Sequence, residues 1–236
     1  MYEGRASERV YLMATETAHF AAMMAAGDAR APHAGQREEG REHFALLVAR
    51  ARSGDAAAFE RIMLETERKV VAVAWRMLGD REDARDAAQE VFLRVYKYLD
   101  RYNPEQDFNG WLYRITINVC RDAARKRGAR VDNSQFSPRP GMDERAAPEV
   151  ASVETNAEEN AIRAQQRVLL MSALETLPEK ERAALVLRDL EGLTTEEVAR
   201  VLRSRPVTVR SQISSARAKL KLHCERLLRR QGGRQV

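Results

Sequence analysis

A chain of 236 residues with 44% hydrophobic and 32% charged side chains has room for one large domain or two small ones, each with a finely divided core. Aromatic residues make up only 6%, strand formers are sparse, and Ala, Leu, Arg and Glu dominate, so the expected fold class is all-α. Two isolated cysteines, Cys120 and Cys224, argue against a disulfide framework or zinc site; no apolar run reaches the roughly 18 residues that cross a bilayer; and a net charge of +5 matters chiefly through its distribution.

Residues 1–41 contain Gly27, Pro32 and Gly35 with weak periodicity and read as a flexible N-terminal extension. The stretch AHFAAMMAAGDARA lacks the length and the preceding basic cluster of a signal peptide, so a cytoplasmic protein is expected. Helical periodicity begins at Glu42. Phe44, Leu47 and Val48 open one helix, and Gly54–Asp55 reads as a stop followed by an N-cap. A second helix uses Phe59, Ile62, Met63, Val70, Val73, Ala74 and Met77 and ends at Gly79. Asp80 caps a third, running to about Tyr102; after the turn NPEQDF a fourth runs from Asn109 to about Arg127. Residues 42–128 thus form a compact helical domain.

Residues 129–160 change character, with Pro138, Pro140, Gly141 and Pro148 among many acids, and read as a flexible acidic linker. A second helical domain spans 161–230, followed by a short tail, 231–236. Pro178 opens a helix through Leu190, and Thr194 with Glu197 is a capping box. After RSRP, Pro206 opens another helix whose apolar stripe is Val209, Ile213, Ala216 and Leu220. Thr208, Ser211, Gln212, Ser214, Ser215 and Lys219 project away from that stripe, with Arg210 and Arg217 on its flanks. This pattern is a helix-turn-helix fit for a major groove. Arg203, Arg205, Arg210, Arg217, Lys219, Lys221, Arg226, Arg229 and Arg230 face one acid, Glu225, so a polyanionic partner explains the segment better than solvation does.

Two faces of the first domain stand out. In the third helix Ala84, Ala88, Val91, Phe92, Val95 and Leu99 form the core stripe, while Leu93 sits opposite among Asp86, Gln89, Glu90, Arg94 and Lys97, hinting at a protein-docking face. In the fourth, Phe108, Leu112, Ile115 and Val119 form the stripe. Trp111, Arg114, Asn118, Arg121 and Arg125 recur on another face, a combination that suits single-stranded nucleic acid as well as it suits half-buried packing.

Together the segments DAAAFERI, LGDREDARDAAQEVFLRVYKYL, FNGWLYRITINVCRDAARKR, LPEKERAALVLRDLEGLTTEEVARVL and VTVRSQISSARAKL resemble the extracytoplasmic-function (ECF) RNA polymerase sigma factors of bacteria. The resemblance implies two helical sigma domains, two and four. Core RNA polymerase would dock on Asp86, Gln89, Glu90, Leu93 and Arg94. The loop from Asn103 to Phe108, with Trp111, Arg114, Asn118, Arg121 and Arg125, would engage the proximal (−10) promoter element as a melted strand. Arg205, Thr208, Arg210, Ser211, Ser214, Ser215 and Arg217 would read the distal (−35) element as duplex DNA. It also implies a cognate anti-sigma factor and a linker that threads toward the polymerase channels. The segment Arg203–Pro206 departs from the usual Gly-hydrophobic-Pro turn, Val207 stands where Gly is common, and Gln212 and Ser215 stand where basic residues are frequent.

The competing reading is a conventional helix-turn-helix repressor or activator that binds duplex without polymerase. An enzyme is not expected: His19, His33, His43 and His223 are scattered, no phosphate-cradling loop is present, and no cofactor or metal is implied.

Overall fold

The computed structural model describes residues 34–133 and 168–232, and within them the chain is helical throughout, as the composition predicts. The expected extension before residue 34, the stretch 134–167 that holds most of the expected linker, and residues 233–236 lie outside that description.

The first module comprises α1 (Ala34–Arg52), α2 (Ala56–Leu78), α3 (Arg81–Tyr98, with a 3-10 turn over Leu99–Arg101) and α4 (Phe108–Asn133). α1 begins ahead of the expected Glu42 and α4 outlasts the expected Arg127, because the nearest prolines, Pro32 and Pro138, lie beyond both ends. Both expected caps form: Asp55 accepts from the Ala58 N–H at 3.1 Å and Asp80 from the Asp83 N–H at 2.9 Å. Gly79 closes α2 in the left-handed region at φ 77°, and a Cβ there would stand 2.5 Å from Glu175 Oε1. The left-handed turn favours glycine here, while the Glu175 carboxylate, at the end of a flexible side chain, can swing aside.

The first core is built on Ile62, Val70, Val73, Val91, Val95, Phe108 and Leu112. The buried hydroxyls of Thr66 and Thr116 donate to the carbonyls of Ile62 and Leu112, which satisfies them inside the apolar interior. Phe92 and Ile115, expected in the core stripes, lie only partly buried at its edge, whereas Tyr113, Ile117 and Cys120 are buried without belonging to the expected stripe. The reason is that α4 is covered on two sides.

The second cover is the other module: α5 (168–175), α6 (Glu179–Leu185, passing into one π-helical turn over Val186–Leu190), α7 (Thr195–Leu202) and α8 (Pro206–Gly232). Its core gathers Leu174, Leu185, Leu187, Val198 and the full expected α8 stripe, Val209, Ile213, Ala216 and Leu220. Thr194 and Glu197 form the expected capping box. The atypical turn works because Arg203 itself adopts the left-handed conformation at φ 50°, and its N–H closes on Ala199 and Arg200 carbonyls. A side chain in that region costs about 1–2 kcal/mol, a strain the surrounding helix pair must hold.

α7 packs along α4, and α6 with its π turn meets α2. Across this junction Arg182 Nη1 donates to the Met77 carbonyl at 2.7 Å, and Arg121 Nε to Glu179 Oε1 at 2.6 Å.

Candidate nucleic-acid interfaces

The start of α4 is set by a turn and an aromatic cluster. Asp107 accepts from the Gly110 N–H at 2.7 Å and so caps the helix. The Tyr102 hydroxyl donates to the Gln106 carbonyl at 2.5 Å, and Arg52 donates to the Leu99 carbonyl at 2.7 Å, which fixes the loop against α1. Phe44 stacks on Phe108 with ring centroids 4.9 Å apart; Tyr102 and Trp111 complete the cluster at 5.3 Å from each other. Trp111 is half-buried at its rim, so one part of the ring is clamped and another part meets solvent. Packing accounts for the clamped part of the ring.

Phe108 is a correction. It was expected to touch the melted strand, yet it is wholly buried, because its ring fills the space between Phe44 and Tyr102. It supports Trp111 instead of contacting a ligand. Asn103 is exposed, with its side-chain oxygen accepting from the Glu105 N–H at 3.0 Å. Asn118 and Arg125 are exposed, Arg125 pairing with Asp122. Arg114 and Arg121 point differently: Arg114 Nη2 donates to the Arg200 carbonyl at 2.9 Å and Arg121 pairs with Glu179, both in the second module. The five-residue face predicted on α4 is therefore divided into an open edge and an edge committed to the junction.

On α3, Asp86 and Gln89 are exposed and Leu93 stands 65% exposed. Arg94 is half-buried between Glu90 Oε1 at 2.7 Å and Asp122 Oδ2 at 3.1 Å, which ties this face to α4. Burial would raise the Asp122 carboxyl, but hydrogen bonds from Arg94 and Arg125 outweigh it and hold the group below the ordinary value. A groove between α3 and α4 is lined by Asp83, Glu90, Arg94, Asp122, Lys126 and Arg127.

On α8, Arg205, Thr208, Arg210, Ser211 and Ser214 are exposed around the helix start. Arg210 makes only a loose contact with Glu196, 3.3 Å between two exposed side chains. Arg217 and Ser215 differ. Arg217 donates twice to Asp189, and Ser215 Oγ to Glu181 Oε1 at 3.1 Å, so both fasten α8 to α6 and its π turn. Lys219 joins Glu181 as well, at 2.7 Å. Part of the basic excess of α8 is thus neutralised by acids from α6 and its π turn, which inspection of α8 alone could not reveal.

Three residues beside these surfaces carry no role in the sequence pattern. Tyr96, 68% exposed and edge-on to Phe59, extends the Leu93 face at the i+3 position, a spacing signal that was available. Val207, 71% exposed, stands among the polar groups at the start of α8. Glu191 accepts a hydrogen bond from Tyr113 at 2.8 Å and pairs with Arg76; nothing in its local sequence announces that role. Among the described residues, no group of His, Cys, Asp and Glu is placed to hold a metal, and no helix is long and apolar enough to cross a membrane.

Residues 62–130 match the family model for sigma-70 region 2, and residues 167–220 the model for sigma-70, region 4. The RNA polymerase sigma-H factor of Pseudomonas aeruginosa is 32% identical over 183 residues, 78% of this chain and 94% of that protein. The ECF RNA polymerase sigma-E factor of Escherichia coli strain K12 is 30% identical over 185 residues, 78% of this chain and 96% of that protein. Two solved structures share the fold. CnrH in complex with the cytosolic domain of CnrY superposes with TM-score 0.57 at 24% identity, covering 78% of this chain and 97% of CnrH. The sigma factor RpoE in complex with the anti-sigma factor NepR from Bartonella quintana gives 0.53 at 22%, covering 69% and 94%.

Proposed function

The chain belongs to the extracytoplasmic-function group of RNA polymerase sigma factors, and we propose that it directs core polymerase to promoters by holding two promoter elements in two physical states. The start of α8 reads the distal (−35) element as duplex. Arg205, Thr208, Arg210, Ser211 and Ser214 supply hydrogen bonds to base edges and phosphates, and Val207 an apolar contact. The rim of Trp111 with Asn103, Asn118, Arg114, Arg121 and Arg125 engages the proximal (−10) element as a single strand, each stacked base being typically worth about 1–3 kcal/mol. Asp86, Gln89, Glu90, Leu93 and Arg94, extended by Tyr96, dock on the polymerase. The protein performs no chemistry of its own and works in the cytoplasm beside the polymerase. RpoE and NepR make an anti-sigma partner a natural expectation for this chain too.

One observation carries the reading: an exposed recognition-helix start and a half-exposed tryptophan platform occur on the same chain, one in each sigma region. A repressor needs the first and has no use for the second. Gel shifts of a selected promoter with the chain alone, core alone and both together test it. Specific binding only with both supports the proposal; tight specific binding by the free chain favours the repressor.

A further inference from the structure

We propose that α1 braces the loop 103–107 through Arg52 and Arg41, and that this brace sets how sharply the proximal element is read. The proposal rests on the reading of that loop and the Trp111 rim as a single-strand face. It assigns a positioning role to a helix that lies before residue 62, where the match to sigma-70 region 2 begins.

Residues 103–107 are all exposed, so burial does not hold them in place. A loop that each captured base had to order would lose that ordering cost from the binding. A loop free to adjust would also accommodate the wrong base. Local bonds close the turn: the Glu105 N–H donates to Asn103 Oδ1 and the Gln106 N–H to the Asn103 carbonyl, both at 3.0 Å. They fix its shape but do not tie it to the module.

α1 supplies that tie. Arg52 Nε and Nη2 donate to the Leu99 carbonyl at 2.9 and 2.7 Å, and Nη2 donates to the Tyr102 carbonyl as well. Arg41 Nη2 donates to the Glu105 carbonyl at 3.0 Å. The accepting carbonyls recur at every third residue along the chain as it enters the loop. Arg41 and Arg52 stand roughly 16 Å apart along the axis of α1, about three turns, and so share one face. Phe44 and Val48 lie on that face between them, and both are buried. Phe44 stacks on Phe108, the ring that also packs against Trp111, so loop and tryptophan rest on one support. Arg52 is the stronger clamp, because it is half-buried whereas Arg41 is exposed. Its planar fork of donors can hold two carbonyls at once, which a lysine ammonium does less well.

The test uses core polymerase, the full chain and a promoter selected by the parent, with proximal positions substituted one at a time. Arg52→Met keeps the aliphatic stem and removes every donor. At the most discriminating proximal position the preferred base should raise transcript yield about tenfold with the parent and about twofold or less with Arg52→Met. Arg52→Lys should recover part of the ratio. A merely structural role would lower the active fraction on every template alike, so a ratio equal to the parent's overturns the proposal. Should Arg52→Met lose helical circular dichroism, Arg41→Ala, at an exposed side chain, takes its place and should at least halve the ratio. Amide hydrogen exchange of the free chain separates the two ideas. Residues 103–107 should exchange faster in Arg52→Met than in the parent, and unchanged exchange overturns the brace. Faster exchange, with a parent that discriminates at no proximal position, removes the single-strand reading of the loop and leaves the Arg52 clamp standing.

Discussion

Arg217 and Asp189 form a two-bond pair inside the second module: Nε to Oδ2 at 3.0 Å and Nη2 to Oδ1 at 2.8 Å, with the carboxylate only 1% exposed and the guanidinium 39%. The pair fastens α8 to the π turn after α6. Arg217→Ala would strand a buried carboxylate and should cost roughly 2–4 kcal/mol of stability, read as a lower midpoint in denaturant. Arg210→Ala, whose side chain is exposed, should leave that midpoint unchanged and weaken distal-element binding by about 1–3 kcal/mol. Equal stability in the two variants would return Arg217 to the DNA-contact set.

The aromatic cluster separates support from contact in the same way. Phe108→Ala should destabilise the first module by about 3–5 kcal/mol, since it empties the space between Phe44 and Tyr102. Trp111→Ala should spare duplex binding and impair strand opening, measured by permanganate reactivity of promoter thymines. If Trp111→Ala weakens closed-complex formation as much as opening, the ring has no role specific to the melted strand.

Val207 offers a test of base reading without hydrogen bonds. If the start of α8 reads the distal element as proposed, the exposed isopropyl group of Val207 should touch a thymine methyl. Replacing distal-element thymines one at a time by deoxyuridine should find a position where the parent chain, with core polymerase, loses affinity and Val207→Ala loses none. Parallel losses in both at every position would exclude the contact.

Three carboxylates predict the acid limb of stability. Asp55 is held below the ordinary value chiefly by the Arg50 hydrogen bond. Burial would raise Glu65 and Asp122, yet Arg61 and His43 pull the first down, as Arg94 and Arg125 do the second. Their folded values lie below their unfolded ones, so the stabilisation is complete above about pH 5, begins to decline as pH approaches the unfolded values, and is lost as pH falls through the lower folded values. Asp122→Asn should be less stable than the parent at neutral pH and should show a shallower acid decline in thermal melts. An unchanged slope would mean that Asp122 is equally perturbed in the unfolded chain.

Helices and caps were legible because their causes are local. Asp55, Asp80, the Thr194–Glu197 box and the α8 stripe each state their role within a few residues. The Arg203–Pro206 turn was legible as a break, but not as a left-handed arginine. What stayed hidden depends on residues distant in sequence. Tyr113, Ile117 and Cys120 are buried on the side of α4 that meets the second module, and burial lifts the Cys120 thiol to about 12. Arg217 looked like one more DNA-facing cation because Asp189, its partner, lies 28 residues upstream. The division of α4 into an open edge and a junction edge has the same origin.

Initiation from a random-sequence promoter library, with purified core polymerase and the full chain, tests the central claim most directly. The account predicts transcripts that depend on the chain, arise from a subset of templates sharing two spaced elements, and carry permanganate-reactive thymines in the proximal one. Folded chain, active core and no chain-dependent transcript from any template would contradict it.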